Sequence, residues 1–157
     1  MDGRALLKAR LFDVLIGDWD RHADQWAWAR FGDSLPRRWV AIPRDRDQAF
    51  VKYDGLLLFI ARQSAPQLLN FGPDFSDMAG ATWNGRDLDR RFLVELERPV
   101  WDSVAAELQT AITDEVIENG VRAMPPEHYA VRGARLGADL RARRDRLPEA
   151  ARRYYLL

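Results

Sequence analysis

Apolar spacing changes twice along this chain, and those changes limit its fold more than any other feature. Leu7, Leu11, Val14 and Leu15 recur at three- and four-residue steps, which predicts an N-terminal helix ended by Gly17. From Trp26 to Phe31 the pattern alternates, with Trp26 and Trp28 on one face, and Arg38–Ile42 reads as the returning strand after a Gly32–Pro36 turn. Helical spacing resumes after residue 55. A short apolar helix is expected at Leu56–Arg62, then a loop-rich stretch from Asn70 to Asn84. Further helices are expected near Asp87–Leu96, Asp102–Ile112 and Asp114–Ala123, the last with Thr113 as N-cap. Pro125-Pro126 breaks the chain, and two final helices follow at roughly 134–146 and 149–156. The expected fold is mainly α with one small β-hairpin, and 157 residues supply one core rather than two.

Composition removes several function classes. The 24 basic and 24 acidic side chains cancel, which argues against a dedicated nucleic-acid binder. The lack of cysteine excludes disulfides, thiolate zinc sites and cysteine nucleophiles. No apolar run approaches the ~20 residues that cross a bilayer, and no cleavable leader pattern follows Met1. The only lysines are Lys8 and Lys52, so a mechanism that needs a lysine has two candidates.

What remains is a concentration of carboxylates around the hairpin. Asp18, Asp20, Asp24 and Asp33 fall in or beside it, and Asp45 and Asp47 follow its second strand. On extended backbone, residues i and i+2 point the same way about 6.6 Å apart. Asp45 and Asp47 could therefore face one point, and two carboxylates ~4 Å apart repel by about 4 kcal/mol at an effective dielectric of 20. Such a pair asks for arginine or for a hard cation such as Mg²⁺ or Mn²⁺. Arg44 and Arg46 are interleaved with the aspartates and would equally make a solvated, self-compensating surface run. His22, beside a carboxylate, reads first as a structural group. The tryptophans at 19, 26, 28 and 39 read as hairpin packing, and the arginine-rich run Arg132–Arg153 as a solvated helix face.

The two loops together resemble something narrower. Ile16-Gly17-Asp18-Trp19-Asp20-Arg21-His22-Ala23-Asp24-Gln25 is similar to the catalytic loop of atypical protein-kinase-like families: the HipA-type kinases, the secretory-pathway kinases and the spore-coat CotH kinases. Ile42-Pro43-Arg44-Asp45-Arg46-Asp47-Gln48-Ala49-Phe50 resembles the CotH-type Asp-x-Asp-x-x-Phe metal segment. The resemblance covers about residues 10–50, and the helices beyond residue 55 would complete a protein-kinase-like C-lobe. It implies Asp20 as the catalytic aspartate and Asp45 as a metal ligand, with Asp47 as a second ligand. Gln25 stands where the family carries a metal-binding Asn or Glu, and Arg21 and His22 fall at loop-structuring positions. Mg or Mn with ATP would be the cofactor, and the partners would be ATP and a phosphate acceptor.

The chain also departs from that pattern. Gln25 is longer than Asn and lacks the charge of Glu. The short stretch from Met1 to Trp19 that precedes Asp20 reads as one helix, with no glycine-rich phosphate loop and no strand lysine. The N-lobe is absent, so the expectation is a C-lobe that is incomplete and inactive alone. Two alternatives stand beside it: a non-catalytic pseudokinase-type interaction module, and an Asp-x-Asp metal-dependent sugar-nucleotide transferase or phosphoesterase. A complete chain would be cytoplasmic, whereas a fragment of an envelope or secreted protein would have lost its export signal.

Overall fold

The Asp2 carboxylate accepts the Ala5 N–H at 2.9 Å and opens helix α1, Gly3–Ile16, in the computed structural model of the chain. The structure describes residues 1–31, 38–53 and 60–157. Gly17 ends α1 in the left-handed region at φ 72°, and its N–H closes onto the carbonyls of Asp13 and Val14. A Cβ at Gly17 would sit 2.8 Å from the Phe71 ring, so both backbone and space call for glycine here.

Strands β1, Trp26–Arg30, and β2, Trp39–Pro43, pair antiparallel with Trp26 opposite Pro43, Trp28 opposite Ala41 and Arg30 opposite Trp39. The expected hairpin is therefore present, and Trp26 and Trp28 share a face. Trp26 is buried, Trp28 packs on Phe92 at 5.8 Å, and the exposed Trp39 lies under the Arg30 guanidinium at 4.9 Å. The expected Gly32–Pro36 turn and Asp33 lie outside the described residues, as does most of the expected Leu56–Arg62 helix.

The second half is helical: α2 Met78–Thr82, α3 Arg86–Phe92, α4 Arg98–Ala111, α5 Asp114–Arg122 and α6 Ala134–Tyr155. A helical turn at Pro126–His128 runs through a π-helical segment, Tyr129–Gly133, into α6. Helix α2 lies inside the stretch expected to be loop. Helix α4 starts ahead of the expected Asp102, at Arg98, because Pro99 falls in its first turn, where a missing N–H costs no hydrogen bond. Thr113 caps α5 by accepting the Val116 N–H at 3.2 Å.

The two expected final helices are one. Pro148 removes the N–H that would bind the Arg144 carbonyl. Gln109 of α4 supplies the substitute, its Nε2 donating to the carbonyls of Arg144 and Asp145 at 3.2 and 3.1 Å. The helix thus runs through its proline because a neighbouring helix satisfies the orphaned acceptor.

The main core forms where α1, α4 and α6 meet. Leu6, Leu7, Leu11, Val104, Ala105, Leu147 and Ala151 are fully buried there, each large side chain contributing about 1.5–3 kcal/mol. A smaller cluster of Phe71, Ile117, Val121 and Leu140 holds α5 against α6. Among the described residues no helix is long and apolar enough to cross a membrane.

Arg143 corrects the reading of the arginine run as a solvated face. It is buried between the rings of Phe71 and Phe75, 4.8 and 4.1 Å from their centres. Its guanidinium donates to the carbonyls of Val14 and Leu15 at the end of α1, and to those of Gly72 and Asp74. A cation at a helix C-terminus meets the negative end of the helix dipole. Burial pulls this guanidinium down to about 10, with Asp74 and Asp139 acting against the fall.

Candidate functional site

Helix α1 carries charge inside its apolar stripe. Arg10 and Asp13 are both fully buried, one turn apart, among Leu7, Leu11 and Val14. Arg10 makes a two-point ion pair with Asp89 of α3, Nε to Oδ1 at 2.8 Å and Nη2 to Oδ2 at 2.9 Å, and the Tyr154 hydroxyl also donates to Asp89. A Cβ at Gly85 would lie 2.5 Å from Arg10 Nη2, so this glycine makes room for the guanidinium. Burial works to neutralise Arg10, but Asp89, Tyr154 and Asp13 together outweigh it and hold the pKa above that of a free arginine.

Beyond Gly17 the chain turns inward. The buried Asp18 sits 2.7 Å from Arg21 Nη2, and its Oδ1 accepts the Asp20 N–H at 3.4 Å. Arg21, itself 1% exposed, spans the two acidic loops: Nη1 donates to the Arg44 carbonyl at 2.8 Å and Nη2 to the Asp45 carbonyl. The Arg44 N–H in turn donates to the Gln25 carbonyl at 2.8 Å. Arg46 reaches back to Asp13, Nε to Oδ1 at 3.1 Å, with its guanidinium 5.2 Å from the Phe12 ring centre. Both loops are thus fastened to α1 and to each other through arginine.

This fastening leaves an unusual carboxylate. Asp13 Oδ2 lies 3.8 Å from both Arg10 Nη1 and Arg21 Nε, beyond hydrogen-bond reach, and all three atoms are buried without a hydrogen-bond partner among the described residues. Burial pushes the Asp13 carboxyl up to about 6 despite the opposing charges of Arg10, Arg21 and Arg46. Burial also raises Asp18, against the pull of Arg21.

The more exposed carboxylates stand above this charged floor. Asp20 Oδ1 accepts a hydrogen bond from Asn84 Nδ2 at 2.9 Å, and His22 Nε2 is 3.9 Å from the same oxygen. His22 caps the short 3₁₀ turn Ala23–Gln25, its Nδ1 accepting the Asp24 N–H at 3.3 Å. Gln25 closes that turn with its N–H on the His22 carbonyl at 3.0 Å, and it joins the second loop through its own carbonyl.

Asp45 departs from the extended backbone expected of Asp45–Asp47. It sits at φ 44°, a region that short polar side chains tolerate, and its Oδ1 accepts the Asp47 N–H at 3.2 Å. Phe50 is also left-handed at φ 62°, a strained conformation for a bulky residue. Its N–H on the Ile16 carbonyl at 3.0 Å and its edge contact with Phe71 at 5.3 Å hold it there. Tyr53 joins the group, its hydroxyl donating to Gln48 Oε1 at 2.8 Å. Burial first, then the negative charges of Asp47 and Asp20, raises the Tyr53 phenol, so this side chain feels carboxylates from both loops.

The structure thus brings together the loops bearing Asp20, Arg21, His22 and Gln25 on one side and Asp45 and Asp47 on the other. Arg10, Asp13, Tyr53 and Asn84 are additions that the sequence reading missed, and Arg46, expected to compensate Asp45 and Asp47, pairs with Asp13 instead. A charged pair inside the apolar stripe of α1 was the available signal for Arg10 and Asp13. Nothing in the sequence marks Asn84 as the partner of Asp20, which lies far back along the chain.

Among the described residues no three carboxylates or histidines are arranged as a metal cage. Mg²⁺ on a nucleotide needs no cage, because it uses one or two carboxylates plus phosphate oxygens and water. The donor chemistry here fits that mode. Asp45 and Asp47 have no ion-pair partner among the described residues, and Arg21 binds the Asp45 carbonyl and leaves its carboxylate to other contacts. No family model, curated protein or solved structure matches this chain.

Proposed function

We propose that this chain is the carboxylate-bearing C-lobe of an atypical kinase-like phosphotransferase, incomplete without a second lobe. The observation that carries the reading is Arg21, which fastens the Asp20 loop to the Asp45–Asp47 loop through two main-chain carbonyls. Phosphoryl transfer is mostly a matter of positioning and of neutralising phosphate charge, and two acidic loops locked side by side on a buried ionic floor serve the first need. Asn84 occupies Oδ1 of Asp20, which leaves Oδ2 as the atom to take the proton from an attacking hydroxyl. Asp45 and Asp47 would hold Mg²⁺ or Mn²⁺, which, when bound, neutralises charge between the phosphates of ATP.

The test is thermal unfolding with Mn²⁺ titrated in, with and without ATP, beside Asp45→Asn. At a hundred times the dissociation constant a site stabilises the fold by about 2.7 kcal/mol. Metal-dependent stabilisation that disappears in Asp45→Asn, with a further shift on adding ATP, is the expected result. A flat response to both ligands overturns the reading for this chain.

A second reading, a non-catalytic interaction module, draws on the apolar surface of the hairpin. Phe31, Trp39 and Ile42 are 65%, 46% and 37% exposed along it, the first two at the end where Arg30 pairs with Trp39. It predicts self-association that Trp39→Asp weakens, measured by sedimentation, with no response to nucleotide.

A further inference from the structure

Away from the acidic loops, a groove of about 570 Å³ opens between α2, α3, α4 and the end of α6. That volume lies in the range of small-molecule sites. Its walls are apolar and aromatic: Trp83, Leu93, Val94, Trp101, Tyr155 and Leu157. Several are unusually open, with Val94 at 76%, Leu157 at 60% and Trp83 at 41% exposure. An exposed cluster of large apolar side chains marks a binding surface more often than an isolated one does.

The side-chain charge lining this groove is mostly positive, two arginines against one carboxylate. Arg86 and Arg90 line it one turn apart on the same face of α3. Arg86 is already set in place: its Nη1 donates to the Trp83 carbonyl at 2.7 Å and its guanidinium lies 4.1 Å from the Trp83 ring centre. The nearest acid to it is Asp87 at 3.9 Å, itself open to solvent, and Arg90 has no ion-pair partner among the described residues. The carboxylate that does line the groove, Asp89, is paired from behind with Arg10 and accepts a hydrogen bond from the Tyr154 hydroxyl. Trp101, on the inner wall, has a buried indole N–H with no acceptor among the described residues. Two cations, a spare donor and apolar walls suit one kind of occupant.

We infer that this groove binds a small amphiphilic anion, with an apolar or aromatic body against Trp83, Leu93 and Trp101 and an acidic head at Arg86 and Arg90. The inference is independent of the kinase-like reading, since it uses none of the acidic-loop residues.

Decanoate below its micelle concentration is a suitable probe, with decanol as the uncharged control. Binding is read by quenching of tryptophan fluorescence and by the shift in unfolding temperature. The expected result is saturable decanoate binding at least tenfold tighter than decanol binding, with that preference lost in Arg90→Glu. Arg86→Gln provides a second, milder variant, and Arg146→Glu, on another face, should leave binding unchanged. Equal affinity for decanoate and decanol, no saturable response, or binding indifferent to both α3 variants would each overturn the inference. So would a dimer, seen by sedimentation, that decanoate does not dissociate and that buries this groove.

Discussion

Two networks of arginine and carboxylate occupy this molecule, and they behave in opposite ways. Under the acidic loops, Arg10, Asp13, Asp18, Arg21 and Asp89 are almost completely buried. At the junction of α5 and α6, Asp114, Glu118, Arg122, Arg141 and Arg144 make a comparable set of ion pairs at the surface. In the buried network burial raises Asp13 and Asp18. In the surface network, hydrogen bonds from Arg144 and Arg122 lower Asp114 and Glu118 respectively. The same side chains thus shift in opposite directions, and water decides which. A buried pair holds the chain in one geometry at a desolvation cost, whereas an exposed pair adds little and is screened by salt.

The sharpest way to break this contrast is Arg10→Met. It leaves Asp89 buried without its cation and takes one of three arginines from around Asp13, and a loss of about 3–5 kcal/mol is expected in urea unfolding. A loss no greater than that of a surface pair would show that the interior network is solvated.

The pH dependence separates the networks next. Asp13 titrates at about 6 in the folded chain against 3.8 for the free side chain, so the folded state holds the extra proton between those values. Its contribution to stability is full below about pH 4 and lost as pH rises to about 6, a swing on the order of 3 kcal/mol. Asp114 and Glu118 act the other way: their contribution is present above the unfolded pKa and lost as pH falls. The melting temperature of Asp13→Asn relative to the parent should therefore climb by roughly 5–10 °C between pH 4 and 6.5. A constant offset would mean that burial does not govern this carboxyl.

Arg21→Lys keeps the charge but loses the planar fork that reaches two carbonyls, and should cost about 2 kcal/mol. Any Mn²⁺-dependent stabilisation should fall with it, because the second loop is no longer held. The smallest effect belongs to Glu118→Gln, whose shift in melting temperature should vanish in roughly 0.5 M salt. Persistence at high salt would place this surface pair with the buried network.

Much of the scaffold was readable in the residues, because local rules govern it. Gly17 ends α1, Thr113 caps α5, and alternation gives the hairpin with Trp26 and Trp28 on one face. The misreadings at Pro148 and Arg143 share a cause, which is distance along the chain. Pro148 signals a break, yet Gln109, on the preceding long helix, removes the penalty. Arg143 looks like one more surface arginine until the end of α1, near the opposite end of the chain, provides carbonyls for it. At the candidate site the acidic residues themselves were plain. The hold of Asn84 on Asp20 was not, because it depends on a partner that sequence spacing does not bring near, and the left-handed Asp45, closed locally on the Asp47 N–H, departs from the extended chain expected there.

The reach of Arg21 also bears on how the molecule assembles. Its contacts at Arg44 and Asp45 close little more than the hairpin itself, a short loop with a small closure entropy. Asp20 receives Asn84 only after the chain has returned through α2. Local closures form ahead of distant ones. The two acidic loops are therefore expected to come together early, on α1 and the hairpin, which the folding-rate effect of Arg21→Lys would check. The docking of the later helices then sets the orientation of the carboxylate between them.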